Sequence, residues 1–254
     1  MIGKDLKRQI LSVGMILAVV LGLVMLLVWY YPYIKTYIKL GVWLKYDYLH
    51  FFRTALTGGG FLIFTPILVV LPGVIQFCDD YNSGYSRFII TRVSKKTFLG
   101  KRYIATVISG GLACMLPLLL LAIGALIFCD APTEYSCISY SKIYNDFADL
   151  WNGKAVMAHI CLYGFVFGMV WASIGMMFAS MIPNRYVALG LPVAIFYASN
   201  IILNALSLSK FSPVNMILID IQDSQLFVLV YQLVLLVVSG VIYILVGNRR
   251  LKNA

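Results

Sequence analysis

The chain has 254 residues, of which 61% are hydrophobic and only 12% charged, and its mean hydropathy is +0.90. These values exclude an ordinary soluble domain and are typical of a membrane protein with several spans. The formal net charge of +10 suggests a nucleic-acid partner at first sight. However, the placement of the charges along the chain explains this value through membrane topology, so no nucleic-acid binding is expected.

Six segments are apolar and long enough to cross a bilayer as helices, which requires about 20 residues each. Helices are predicted because open strands cannot satisfy their backbone in lipid, and the alternating pattern of a membrane barrel is absent. The predicted fold is therefore all-α, a single transmembrane domain over residues 1–254. Its predicted spans are 10–30, 56–78, 103–128, 155–180, 186–206 and 226–246.

Basic residues are concentrated on one side of this layout. The N-terminal lead, the connections after spans two and four, and the C-terminal tail carry 13 Lys and Arg but only three acids. The other side carries seven cations and seven acids. By the positive-inside rule, both termini are expected in the cytoplasm of a multi-pass cell-membrane protein. The chain contains no N-glycosylation sequon, which fits a bacterial protein.

Span two contains Pro66, Pro72 and Gly73, so a kink is predicted in it. The charged connection that follows begins with two aspartates, and Asn82 or Ser83 can cap a short helix there. Its residues at i, i+3, i+4 and i+7 share one face: Tyr85, Phe88, Ile89 and Arg92. A plain positive-inside loop would explain the charge of this connection, but not its aspartates, cap and apolar stripe.

Basic residues lie on the other face and at the exit of this short helix. They suit anionic headgroups or an acidic groove on a partner. These residues are Arg87, Lys95, Lys96, Lys101 and Arg102.

Small residues recur in span four at positions that allow another helix to approach closely. They are Gly164, Gly168, Ala172 and Gly175. The stripe serves either packing within the chain or an interface with a second subunit, and the sequence leaves both open.

The polar residues within the spans also have two interpretations. Gln76, Asn200 and Asn204 either form hydrogen bonds between helices or line a substrate path. Between spans five and six, residues 207–225 are too apolar for a free loop and too interrupted for a span, so an outer re-entrant hairpin is predicted. In the outer loop after span three, Cys129 and Cys137 are spaced for a disulfide, which the spacing permits but does not require.

The chemistry of an enzyme or an ion-coupled carrier is missing. The chain has no G-x-x-x-x-G-K-[ST] phosphate loop and no Asp, Glu, Lys or Arg in the middle of a predicted span. We therefore expect no catalytic activity, metal site or cofactor in this chain, and an energy source on another protein.

The connection after span two resembles that of ABC-2 type transporter permeases. In that family it reads as an acid, a Gly-Thr pair, an apolar helix, Pro-Val-Ser-Arg and a closing Lys. The matching positions here are Asp80, Gly84, Val93-Ser94-Lys95 and Leu99-Gly100-Lys101. The chain departs from the pattern with Asp80 for Glu, Tyr85 for Thr, Arg92 for Pro and Lys95 for Arg.

The resemblance implies a six-helix exporter subunit with an amphipathic coupling helix between helices two and three. Two permease chains, identical or homologous, would each dock one ATP-binding subunit, which carries the ATP and Mg. Phe88 and Ile89 would insert into the partner, and Arg87 and Arg92 would orient it. The implied docking residues are Asp80, Gly84, Tyr85, Arg87, Phe88, Ile89, Arg92, Ser94, Lys95 and Lys101.

Cargo of this family is mostly hydrophobic or amphipathic, such as peptides, drugs and lipid-like molecules. Two alternatives come from other functional classes. A self-contained channel or facilitator would need a polar lumen, and the spans offer few polar residues for one. A membrane scaffold or immunity subunit that transports nothing could keep the docking loop, and only flux measurements separate it from an exporter.

Overall fold

The computed structural model describes residues 2–28, 30–32, 35, 39, 47–58, 60–90, 93–130, 154–217 and 225–252. The secondary-structure elements in these ranges are helices, with one isolated bridge between Asp47 and Asp130. The α-helices are α1 (Ile2–Ile10), α2 (Val13–Val28), α3 (Tyr48–Gly58), α4 (Phe61–Val70), α5 (Val74–Asn82), α6 (Tyr85–Ile90), α7 (Lys95–Phe128), α8 (Lys154–Met181), α9 (Arg185–Ala205) and α10 (Gln225–Lys252).

Within the described residues, five helical segments are long and apolar enough to cross a membrane. They are Phe61–Asn82, which combines α4 and α5, then α7, α8, α9 and Phe227–Arg250 of α10. A sixth span is obtained when α1 and α2, which meet at a 49° bend, are taken together. The prediction of an all-helical, multi-pass membrane protein with about six spans is therefore confirmed.

Two of the predicted spans begin at other residues than expected. The second begins at Phe61 rather than Leu56, because Gly60 has φ +73° and separates α3 from α4. Glycine adopts this left-handed conformation without a steric penalty. The third begins at Lys95, eight residues before the predicted start, because the Ser94 side chain accepts a hydrogen bond from the Thr97 N–H and caps the helix.

The predicted kink in span two is a complete break at Leu71–Gly73 between α4 and α5. Pro72 has no N–H to donate, which explains the interruption, whereas Pro66 lies inside α4 without breaking it. α2 packs closely against this break. A Cβ atom added to Gly14 would lie 2.5 Å from the Leu71 carbonyl oxygen, so the contact requires glycine.

The small-residue stripe of α8 packs within the chain, chiefly against α7. A Cβ atom at Gly168 would lie 2.6 Å from the Gly110 carbonyl oxygen, and one at Gly164 would lie 2.6 Å from a methyl group of Leu118. Ala172 and Gly175 are also buried. Because this chain covers all four positions, the stripe is a contact between helices of one chain, and not a surface for a second subunit.

A buried polar contact joins α7, α8 and α10. The Tyr103 hydroxyl lies 2.6 Å from the Ser173 hydroxyl and 2.9 Å from the Leu236 carbonyl oxygen. Ser173 also forms a hydrogen bond with Ser239. The Tyr243 ring stacks on Tyr103 with the ring centroids 5.4 Å apart. Hydrogen bonds of this kind fix the register of helices that apolar packing alone would allow to slide.

Candidate functional site

The charged contacts of the structure gather at one end of the helix bundle. Five elements meet there: α1, the end of α5 with α6, the start of α7, the turn between α8 and α9, and the last turns of α10. We call this region the basic end. Both described ends of the chain lie in it, since α1 contacts α5 through an ion pair and Arg250 of α10 donates to the Met181 carbonyl of α8.

A buried ion cluster lies behind α6. The Asp80 carboxylate accepts three hydrogen bonds, one from Arg102 at 2.6 Å and two from Arg8 at 2.9 and 3.1 Å. Arg102 also lies 4.0 Å from a carboxylate oxygen of Asp5. We call these four residues the Asp80 cluster. It joins α1, α5 and α7, and its two acids balance its two arginines.

Burial differs sharply within the Asp80 cluster. The Asp80 and Arg102 side chains are only 10% and 4% exposed, whereas that of Arg8 is 47% exposed. A buried charge is costly unless it is paired, so Arg102 depends on Asp80. The Asp80 carboxylate is consequently directed into the chain, and any contribution it makes to partner docking is indirect, through the position of α6.

Two further contacts hold the end of α5. Asp79 forms an ion pair with Arg185 at the start of α9. The Asn82 side-chain amide donates a hydrogen bond of 3.0 Å to the Pro183 carbonyl in the turn between α8 and α9. The end of α5 is therefore attached to α1, α7 and α9, so a displacement of α5 would act on all three helices.

The turn from α5 into α6 depends on a glycine. Gly84 has φ +75°, and its N–H donates to the Tyr81 carbonyl at 3.2 Å. The prediction that Asn82 or Ser83 caps α6 was wrong, because Asn82 is the last residue of α5 and Ser83 is the C-cap of that helix. The left-handed backbone at Gly84 directs the chain into α6 instead.

The side chains of α6 point in two directions. Tyr85 is 48% exposed and Phe88 is 74% exposed, whereas Ile89 is half-buried and packs against the core of the bundle. The Arg8 guanidinium lies 5.9 Å from the centre of the Tyr85 ring, within the range of a cation–π contact. Ile89 thus anchors α6 and Phe88 faces outward, while the insertion of both side chains into a partner stays a prediction.

The remaining predicted docking residues are distributed around α6. Ser94 caps α7, Lys95 is exposed in its first turn, and Lys101 is half-buried two turns further on. Arg92 lies outside the described residues, and so does the side chain of Arg87.

The candidate path residues do not come together. Gln76 is one helical turn from Asp80, near the basic end. Asn200 is 15 residues from Arg185 in α9, which corresponds to about 22 Å along the helix. Asn200 accepts hydrogen bonds from Asn204 at 3.2 Å and from Ser212. These bonds favour the interpretation of Asn200 and Asn204 as a link between α9 and the connection that follows.

The connection between α9 and α10 contains two 3₁₀ turns, Ser209–Phe211 and Val214–Met216. The Asn215 side chain donates to the Ser209 carbonyl at 2.8 Å and fixes one turn to the other. Residues 218–224 lie outside the described ranges, so the predicted re-entrant hairpin stays a prediction.

The predicted disulfide also stays a prediction, because Cys137 lies outside the described residues. Cys129 directly follows the last residue of α7. Burial, followed by the charges of Asp130 and Asp47, raises the pKa of the Cys129 thiol, which lowers its thiolate fraction at neutral pH.

Sequence reasoning missed the partners within the Asp80 cluster. Arg8 was interpreted only as a topology charge, and Arg102 also as a contact for headgroups or a partner, but neither as a partner of Asp80. The sequence nevertheless contained a signal for these ion pairs, because the basic side carries only three acids alongside its 13 cations. All three acids form ion pairs with arginines in the structure: Asp5, Asp79 and Asp80. An acidic residue in a segment rich in cations therefore indicates a specific ion pair.

In comparisons with known proteins, no family model, curated protein or solved structure matches this chain. A functional assignment therefore depends on the residues and contacts described above.

Proposed function

We propose that this chain is the membrane-spanning subunit of an ATP-driven exporter of the ABC-2 type, and that α6 docks a separate ATP-hydrolysing subunit. The observation that carries the proposal is that the aromatic side chain of Phe88 points outward from a helix, α6, that is itself firmly anchored to the bundle. Phe88 is 74% exposed, and the loop that carries it resembles the docking loop of the ABC-2 permeases.

The anchoring of α6 supports a mechanical role. Ile89 packs into the bundle, Tyr85 contacts Arg8, and the Asp80 cluster lies directly behind the turn at Gly84. Closure of two ATP-hydrolysing subunits around ATP would push α6, and these contacts would transmit the displacement to α1, α7 and α9. The break at Leu71–Gly73 would let α5 tilt while α4 stays in place.

The other parts of the transporter follow from this assignment. The basic end would face the cytoplasm of a bacterial cell, and the partner would supply ATP and Mg, so this chain needs no cofactor. Two permease chains, identical or homologous, would enclose the path. The apolar lining available in such spans fits hydrophobic or amphipathic cargo, such as a peptide, a drug or a lipid-like molecule.

The first experiment is to purify the tagged chain gently from its native membrane and identify the proteins that accompany it by mass spectrometry. We expect an ATP-binding subunit in about equal amount, because one docking helix binds one partner. Reconstitution of the pair into vesicles should then give ATPase activity that candidate cargo stimulates. If the chain purifies alone and conducts solutes by itself, the alternative of a self-contained channel or facilitator replaces this proposal. If the complex has ATPase activity but moves no solute across the membrane, the alternative of a scaffold or immunity subunit replaces it.

A further inference from the structure

The outward face of α1 changes from basic to apolar along one line. Lys4, Lys7 and Leu11 lie at i, i+3 and i+7, and the Leu11 N–H donates to the Lys7 carbonyl at 3.0 Å, so the helical turn continues to Leu11. Both lysines are exposed, and Leu11 is 68% exposed. A change of this kind at the start of a span is typical of the boundary between headgroups and hydrocarbon.

The opposite face of α1 is fixed to the bundle. Asp5 lies 4.0 Å from Arg102, and the side-chain amide of Gln9, which is fully buried, donates to the Thr106 hydroxyl at 3.1 Å. These contacts keep the two lysines of α1 directed away from the bundle. Within the described residues, the three acids of the basic side all pair with arginines, so no carboxylate of this side neutralises the two lysines.

The length of the first span places these lysines at the depth of the lipid headgroups. Leu11 precedes Val28, the last residue of α2, by 17 positions, which corresponds to about 26 Å of helix. The hydrocarbon layer is about 30 Å thick, so it ends close to Leu11 when Val28 is at the opposite boundary. Lys7 lies one turn beyond Leu11 and Lys4 about one turn further, and the 49° bend between α1 and α2 keeps both closer to the hydrocarbon than a straight helix would.

We infer that the outward face of α1 binds the headgroups of anionic phospholipids through Lys4 and Lys7. Lipid surrounds any membrane protein at this depth, so the occupant is supplied by the membrane itself, and the two cations favour a headgroup of negative charge. The contact holds α1 at the membrane surface while its other face stays on the bundle. The inference goes beyond the proposed function, because it requires no ATP-hydrolysing subunit.

Two lysines of α7 provide a control that is matched in charge. Lys95 and Lys96 are exposed at the same end of the bundle, but they precede Ile104, which is 46% exposed, by at least eight positions. From Ile104 to Phe128, α7 is about 36 Å long and already spans the hydrocarbon. The control lysines therefore lie about 12 Å or more beyond it, outside a headgroup layer that is about 5–8 Å thick.

The test titrates the purified permease in detergent with phosphatidylglycerol or with phosphatidylcholine and counts the bound lipids by native mass spectrometry. We expect the double substitution Lys4→Gln and Lys7→Gln to weaken phosphatidylglycerol binding about tenfold or more. Lys95→Gln with Lys96→Gln should change it by no more than about threefold. Phosphatidylcholine binding and the melting temperature should stay the same in both double variants, because all four side chains are exposed.

Two outcomes would overturn the site on α1. Equal weakening in the two double variants would mean that net charge alone attracts the lipid. Undisturbed phosphatidylglycerol binding by the α1 variant would mean that its lysines do not contact the headgroups, and loss of a copurifying protein from that variant would then assign them to a protein interface. Both outcomes leave docking at α6 to its own test.

Discussion

At the scale of single residues, Phe88 is the most informative position. A carboxylate at this position should abolish docking, because an apolar groove on the partner would have to bury an unpaired charge. We expect Phe88→Asp to remove the ATP-hydrolysing subunit from the purified complex and to leave the melting temperature of the permease unchanged. Tyr186, which is 84% exposed at the start of α9, provides the matched control. Loss of the partner in Tyr186→Asp as well would mean that α6 is not the specific docking element.

The two arginines of the Asp80 cluster should differ in importance. Arg102→Gln removes the buried guanidinium that pairs with the buried Asp80 carboxylate, and we expect a loss of about 3 kcal/mol or more of stability. Arg8→Gln removes an ion pair that water already screens and should cost about 1 kcal/mol or less. Thermal unfolding of both variants in the same detergent measures the difference, and equal losses would contradict the role of burial.

At the scale of elements, the turn at Gly84 sets the direction of α6. Gly84→Ala places a side chain at φ +75°, which costs about 1–2 kcal/mol or shifts the turn. We therefore expect weaker partner binding and a lower melting temperature. Gly84→Asn should be milder, because Asn tolerates this region better than Ala. Gly190→Ala is the control, since nothing lies within 4 Å of a Cβ atom there and Ala favours the helix: it should leave binding unchanged and should not lower the melting temperature.

The elements also show which parts of the structure local sequence can predict. The break at Pro72 and the short helix after Gly84 were expected, because a missing N–H and a permissive glycine act on their immediate neighbours. The ion pairs of Asp80 were not expected, because its partners Arg8 and Arg102 are 72 and 22 residues away. Such contacts depend on how the helices pack, which no local pattern encodes.

The two sides of α6 illustrate the same limit. Helical periodicity placed Phe88 and Ile89 on one face, but adjacent residues of a helix are separated by about 100° of rotation. Which of the two faces the bundle depends on the packing of α5 and α7 behind it. For this reason the sequence predicted the existence of a short helix here, but not which of its side chains faces outward.

At the scale of the whole molecule, the asymmetric charge should control association with the partner. We expect binding of the ATP-hydrolysing subunit to weaken by about tenfold or more between about 0.1 and 1 M salt, because the Debye length falls from about 10 to 3 Å. The melting temperature of the permease should change little over the same range, because the Asp80–Arg102 pair is buried and poorly screened. Binding that strengthens with salt would indicate an interface dominated by apolar contacts instead.

The neutrality of the Asp80 cluster has a consequence for energetics in a living cell. A bacterial membrane maintains an electrical potential, and moving one elementary charge through it involves about 2.3 kcal/mol per 100 mV. Because two arginines and two aspartates would move together with α1, α5 and α7, their displacement transfers no net charge across the field. The Asp80 cluster itself therefore adds no gating charge, and any voltage dependence of such a movement would come from the exposed lysines of the same helices.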